Sequence, residues 1–273
     1  MPIHSWLCNV NCGGRERPLD HFETTDCGDC TETGKGLHPD FAAAVLEQER
    51  AHYRFGKRAI GVTDLVSGCP RAAAIKHTVP YAVDPLALNS PMTGMAYHQY
   101  IALASNSKEV EVKVAGKVEG VEVITSVDRL RKHRLLIEDH KHRNDYAGKY
   151  DKRDGSKAEH VAQLSLGAEL VEQTLGWRPM RGTIWAHYTG AVGLYPMPVP
   201  TLLSLSDVLE FKPWKGDATV RDHLAAMERW RKGEMQWSDL PLFGEAQKIG
   251  DKTACDYCPA RVPCWEQARG AAF

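Results

Sequence analysis

The chain has 273 residues, 43% hydrophobic and 25% charged, with a formal net charge of -1. That is enough apolar material for one large core or a core plus an appendage, and it lacks the overall positive charge that marks a dedicated nucleic-acid-binding domain. No apolar run reaches the roughly 18 residues of a spanning helix, and the start, MPIHSWLCNVNCGG, lacks the basic flank and apolar stretch of a secretory signal. A cytoplasmic protein with no membrane partner is expected.

Residues 1–36 carry four cysteines among many Gly, Asp and Thr and have almost no apolar periodicity, so they are expected to form a small appendage that needs a staple to fold. Residues 37–273 are expected to form the main domain. Within it, FAAAVLEQERAHYRFGKRAI (41–60) has the apolar spacing of a helix ended by Gly61, and Thr63 is placed as the N-cap of a short helix that Cys69-Pro70 terminates. SPMTGMAYHQYIALAS (90–105) reads as a helix with Gly94 and His98 on one face. Two stretches of period two follow, 108–130 and 134–143, which suit neighbouring strands. A polar loop (144–157) leads to the amphipathic helix AEHVAQLSLGAELVEQTLGW closed by Gly176, then to a strand in GTIWAHYTG and a helix over 217–235. The order of elements predicts a mixed α/β core.

The stretch LLIEDHKHR sets charge where a buried strand is usually apolar. Alternation puts Leu135, Ile137, Asp139 and Lys141 on one face and Leu136, Glu138, His140 and His142 on the other. An acid two residues before a lysine suits phosphodiester chemistry: the carboxylate holds a hard cation, and the ammonium orients water or stabilises charge on phosphorus. Alone, the pair is equally an ion pair on an edge strand. Asp128 lies eleven residues before Asp139, a gap that a hairpin can fill, and two adjacent carboxylates repel unless a cation neutralises them. His98 offers an imidazole, and Gln163 lies on the helix that follows. Between Arg129 and Lys157 ten Lys or Arg face five Asp or Glu, a basic segment suited to phosphate contacts.

This ordered set resembles the PD-(D/E)xK nuclease superfamily in its RecB-like branch. GMAYH is similar to the helical Gly-x-x-x-His motif, with His98 as metal ligand; TSVD to the second motif, with Asp128; and IEDHK to the (D/E)-x-K motif, with Asp139 and Lys141. QLSLG begins like the Gln-x-x-x-Tyr motif with Gln163, but Gly167 stands at the tyrosine position, and TSVD lacks the usual glycine two residues before its acid. The resemblance implies an α/β restriction-endonuclease-like core, a mixed sheet flanked by helices. It further implies Mg2+ or Mn2+ at His98, Asp128 and Asp139, with Lys141 and Gln163 as catalytic residues.

Eight cysteines in an intracellular chain point to metal ligation rather than disulfides. Cys255, Cys258 and Cys264 have the spacing C-x2-C-x5-C, with Cys69 far upstream; four thiolates can hold a four-iron cluster or a tetrahedral zinc. The arrangement resembles the iron-sulfur exonucleases of the same branch, among them the fourth CRISPR-associated exonuclease and the AddB nuclease domain. It implies a 4Fe-4S cluster on these cysteines and a bacterial or phage origin. Cys8, Cys12, Cys27 and Cys30 form C-x3-C and C-x2-C pairs suited to zinc. The expected function is metal-dependent exonuclease activity on DNA, mainly single-stranded. The alternative is a DNA-binding accessory subunit, weakly catalytic or non-catalytic, of a CRISPR adaptation or recombination complex.

Overall fold

The protein is described here by a computed structural model. It covers residues 3–7, 16–17, 60–66, 69–78, 81–83, 109–143, 151, 153–188, 194–213, 216–241, 258, 260 and 264, and seven residues between 94 and 103. The helix expected over 41–59, the boundary at residue 36, and Cys8, Cys12, Cys27, Cys30 and Cys255 lie outside the described residues. The strands are β1 (Ile3–Leu7), β2 (Glu16–Arg17), β3 (Ile60–Gly61), β4 (Tyr81–Val83), β5 (Val110–Val118), β6 (Val121–Arg131), β7 (Leu136–Arg143), β8 (Arg181–Tyr188) and β9 (Leu194–Val199). The helices are α1 (Val62–Val66), α2 (Pro70–Thr78), α3 (Ala158–Leu175), α4 (Leu205–Glu210) and α5 (Val220–Arg231). No described helix is long and apolar enough to cross a membrane.

The chain divides into two compact units. One comprises Met1–Arg58, Cys69–Met92 and Arg229–Phe273; the other comprises Ala59–Gly68 and Thr93–Glu228. In the first, β1 pairs antiparallel with β2 and parallel with β4. Its helix α2 is tied to the later segment by Arg71, which donates from Nε (3.1 Å) and Nη2 (2.9 Å) to the Leu240 carbonyl.

The second unit holds a six-stranded mixed sheet in the order β3-β6-β7-β8-β9, with β5 also on β6. At eleven residues, β6 is long enough to pair antiparallel with β5 along one edge and to divide its other edge between two partners. Val123 and Ile124 pair there with β3, and Arg129, Leu130 and Arg131 with β7. The parallel β7–β8 pair requires a crossover, which contains α3. The apolar face of α3 buries Ala162, Leu164, Leu166, Ala168, Leu170 and Val171, while Ile137 and Ile184 are buried in the strands. Gly167 on that face lets the helix approach the sheet closely, since a Cβ there would stand 3.3 Å from Ile137 Cδ1.

The outer strands β5 and β9 each carry features that limit further pairing. The outward peptide groups of β5 are taken by α3 side chains: Thr174 Oγ1 accepts from Ala115 N–H (3.1 Å) and donates to its carbonyl (2.7 Å). Gln173 does the same at Lys117 (2.8 and 3.1 Å). On β9, Pro196 and Pro198 lack amide donors, which suits an edge strand. Their presence had hidden the strand from a propensity reading.

Three local expectations are corrected. Ile60 belongs to β3, pairing with Val123, and does not end a helix. Thr63 lies inside α1, which begins at Val62, so it is not the N-cap. Pro70 does not terminate a helix but opens α2, where its missing N–H costs nothing, and Ala73 N–H reaches back to the Cys69 carbonyl at 3.0 Å. By contrast, α3 ends at Gly176 in the left-handed conformation (φ 72°), as the sequence indicates. The helix expected over 217–235 is confined to α5, its start braced by Thr219 and Asp222, whose side chains each bond the other's amide.

His223 of α5 is buried, with Nδ1 3.1 Å from the Leu65 carbonyl, and burial pushes its pKa below the usual 6.5. Burial also lowers His160 to about 3 and His187 to about 4. For groups depressed in the folded state, the stabilisation is present above the unfolded value and is lost as pH falls through the folded values. The denaturant midpoint should therefore drop as pH falls from about 7.5 to about 4. His223→Gln, which keeps a donor and does not titrate, should reduce that drop in circular dichroism melts.

Candidate metal centre

The β6–β7 hairpin closes through a 3-10 turn at Lys132–Arg134 and pairs only as far as Arg129 with Glu138. Beyond that pair the ladder is replaced by a side chain, Asp128 Oδ2 accepting from the His140 amide at 2.6 Å. Asp128, Asp139 and Gln163 thereby line one small open cleft, together with Thr125, Ser126 and Gly167. Lys141 Nζ lies 3.0 Å from Asp139 Oδ1 and donates to Gln163 Oε1 at 3.1 Å. The alternation expected along β7 brings this acid and lysine together, and α3 supplies the amide.

The described residues between 94 and 103 are helical, and His98 projects from them between carboxylates. Its Nδ1 is 3.3 Å from Asp128 Oδ1 and 3.1 Å from Glu111 Oε1, and its Nε2 is 3.1 Å from the His140 carbonyl. Acceptors at both nitrogens favour the imidazolium: hydrogen bonds that His98 donates to Asp128 and Glu111 raise its pKa to about 10. Glu111 is correspondingly lowered, first by its bond to His98. Asp128 is raised, chiefly by burial and further by the charge of Asp139, against the pull of His98.

These atoms fit a cation as well as a proton. His98, Glu111 and Asp128 offer ligand atoms within 4.8 Å of one another. Neighbouring ligands around an ion with bonds of about 2.1 Å lie about 3 Å apart, close to the separations from His98 Nδ1. The Nε2 bond to a backbone carbonyl leaves Nδ1 as the ligating nitrogen, the usual way an imidazole ligand is oriented. Asp139, 7% exposed, has a buried Oδ2 with no hydrogen-bond partner among the described residues. Carboxylates plus one imidazole suit a hard divalent ion such as Mg2+ or Mn2+.

Glu111 was not singled out from the sequence. The signal was present: Glu119 and Gly120 form a two-residue turn with φ of 48° and 84°, and the register it sets places Glu111 opposite Asp128, between the pairs Val110–Arg129 and Val112–Val127. What the sequence does not carry is the left-handed backbone of Glu111 (φ 51°), a conformation rare for a side-chain-bearing residue.

Two other sequence readings change. Gly167, at the position of a motif tyrosine, is buried against Ile137 and Thr125, so a ring there would displace the helix from the strands. Part of the basic segment is paired internally: Arg129 and Arg131 pair with Glu138, Arg143 with Asp151, and Arg153 with Asp154, while Lys132 and Arg134 are exposed. Cys69, Cys258 and Cys264 are half-buried.

No family model matches the chain, and no curated protein matches it. Among solved structures it is similar to SSO0001, at 15% identity over 81% of this chain and 94% of that one, with a TM-score of 0.46. It is also similar to a "putative exonuclease" from Eubacterium rectale, at 12% identity over 67% of this chain and 85% of that one, with a TM-score of 0.48.

If Glu111 shares the cation with His98 and Asp128, Glu111→Gln should weaken Mn2+ binding about tenfold in a paramagnetic resonance titration. Wild-type affinity in that variant would remove Glu111 from the site.

Proposed function

We propose that the chain is a divalent-metal-dependent deoxyribonuclease, acting as an exonuclease mainly on single-stranded DNA. The observation that carries this reading is the buried, unpartnered Asp139 oxygen in a cleft shared with Asp128, beside a lysine already oriented by Asp139 and Gln163. An uncompensated carboxylate oxygen is costly to bury, and a cation removes that cost. His98 and Asp128 would hold the ion with Glu111, the three offering ligand atoms within 4.8 Å of one another, and Asp139, outside that group, would complete the set from the cleft it shares with Asp128. When bound, Mg2+ or Mn2+ supplies Lewis-acid polarisation of a phosphoryl oxygen and a more acidic water.

The chain's own groups do the rest. Asp139 Oδ1 and Gln163 Oε1 accept two of the three ammonium hydrogens of Lys141, leaving the third for the attacking water or a phosphate oxygen, where positive charge offsets the negative charge that develops. The residue pattern of the RecB-like branch supports the same roles. A purely DNA-binding accessory subunit would leave the acid pair and the oriented lysine without a task.

The reading extends to a structural 4Fe-4S cluster on Cys69, Cys255, Cys258 and Cys264, and to zinc at Cys8, Cys12, Cys27 and Cys30, both supported by spacing. Cys69 and the C-terminal cysteines fall in one compact unit, and Arg71, two residues after Cys69, is bonded to Leu240. These facts support the cluster. Service to a CRISPR or recombination complex is proposed from the resemblance alone.

Asp139→Ala and Lys141→Ala should each abolish Mg2+-dependent nucleotide release from labelled single-stranded DNA, with circular dichroism unchanged; activity persisting in both would refute the assignment. Anaerobically purified protein should contain about four iron atoms per chain, with a broad absorbance that Cys69→Ser removes. Zinc in place of iron would exclude the cluster.

A further inference from the structure

Taking His98 and Asp128 as metal ligands, as proposed above, we infer that His187 is a positioning residue for that site, acting through His140 from the opposite face of the sheet.

Both ligands are held by a single residue of β7. The His140 amide donates to Asp128 Oδ2 at 2.6 Å, and the His140 carbonyl faces His98 Nε2 at 3.1 Å. These groups flank one Cα, so any tilt of the His140 backbone moves both ligands together. The imidazole of His140 points away from the cleft, among the side chains of β8. Its Nδ1 lies 2.9 Å from His187 Nε2 within a buried pair, and its ring is nearly parallel to Trp185 (14°, centroids 6.4 Å apart). Cross-strand register explains the cluster, since His140 opposes Trp185 and His142 opposes His187 on adjacent parallel strands. Trp185 is fixed in turn, its Nε1 donating to Glu138 Oε1 at 3.0 Å, while Arg131 holds the other Glu138 oxygen at 2.8 Å.

The direction of the imidazole–imidazole bond follows from what surrounds it. His140 Nε2 is buried and has no hydrogen-bond partner among the described residues. Were His187 the donor, a neutral His140 would carry its proton on that nitrogen, leaving a buried N–H unpaired. With the proton on Nδ1, His140 donates to His187, and only a lone pair is left unmet, the less costly arrangement. His187 thus serves as the acceptor that sets the His140 ring, and through its Cα the two groups that orient Asp128 and His98.

The test compares two substitutions in the full-length chain. His187→Phe keeps a flat ring but offers no acceptor; His187→Gln restores one near the position of Nε2. Mn2+ affinity is read by paramagnetic resonance and folding by thermal melts of the metal-free protein. His187→Phe should bind Mn2+ about tenfold more weakly, and His187→Gln should stay within about twofold of wild type. Wild-type affinity in His187→Phe, or equal weakening in both variants at matched melting temperature, overturns the inference. Imidazole nitrogen shifts of the unsubstituted protein supply a test that does not depend on the variants folding. They should show His140 protonated on Nδ1 and His187 unprotonated on Nε2, and the reverse tautomers overturn the assignment. A wild-type chain that binds no Mn2+ at all refutes the metal centre instead, and the nitrogen shifts still decide the bond between the two histidines.

Discussion

Two carboxylates buried side by side in a hairpin are the constraint around which the second unit is built. Asp128 and Asp139 line the same cleft on adjoining strands, and the charge of Asp139 makes Asp128 harder to ionise. The fold offsets this with donors set at fixed points: the His140 amide and the His98 ring on Asp128, and the Lys141 ammonium on Asp139. Among the described residues no donor reaches Asp139 Oδ2, so this ion-pair network is left incomplete. The splay of β6 from β7, the length of β6 and the approach of α3 at Gly167 all serve to hold this cleft open and lined.

The two faces of β7 divide the chemistry. Toward α3 stand Ile137, Asp139 and Lys141, with an apolar floor and a polar end. On the other face Glu138 gathers Arg129, Arg131 and the Trp185 indole, and His140 Nδ1 meets His187, so most of the buried charge there has a partner. A matched network in a low-dielectric interior rigidifies its strand. That rigidity is what a site needs when its ligands must be held within a fraction of an ångström. The same pairing draws Arg129 and Arg131 away from solvent and leaves Lys132, His133 and Arg134 at the hairpin tip as exposed basic residues.

Much of the site was legible because strand alternation is a local rule. The partnership of Asp139 with Lys141 follows from a spacing of two, and the nearness of Asp128 follows from hairpin arithmetic. The helix α3 was legible from its apolar period and its terminal glycine, and Gln163 came with it. Less legible were elements whose local signals conflict with their place. β9 carries two prolines and is a strand only because an edge needs few donors; Pro70 reads as a stop signal but starts a helix. The arginines of the basic segment read as a phosphate-binding surface, and their commitment to buried acids depends on which face of the sheet each one occupies.

The sequence by itself determined the alternating strands, the hairpin that sets Asp128 near Asp139, and the helix bearing Gln163, because each depends on residues within about one hairpin or a few turns of one another. Only the tertiary structure decided that Glu111 joins His98 and Asp128, that Gly167 is a packing position, and that His140 touches His187. Those contacts join residues brought together by strand order and by helix packing, and in Glu111 by a left-handed backbone. No local pattern encodes such contacts, because their energy is realised only once the sheet has assembled and its interior excludes water.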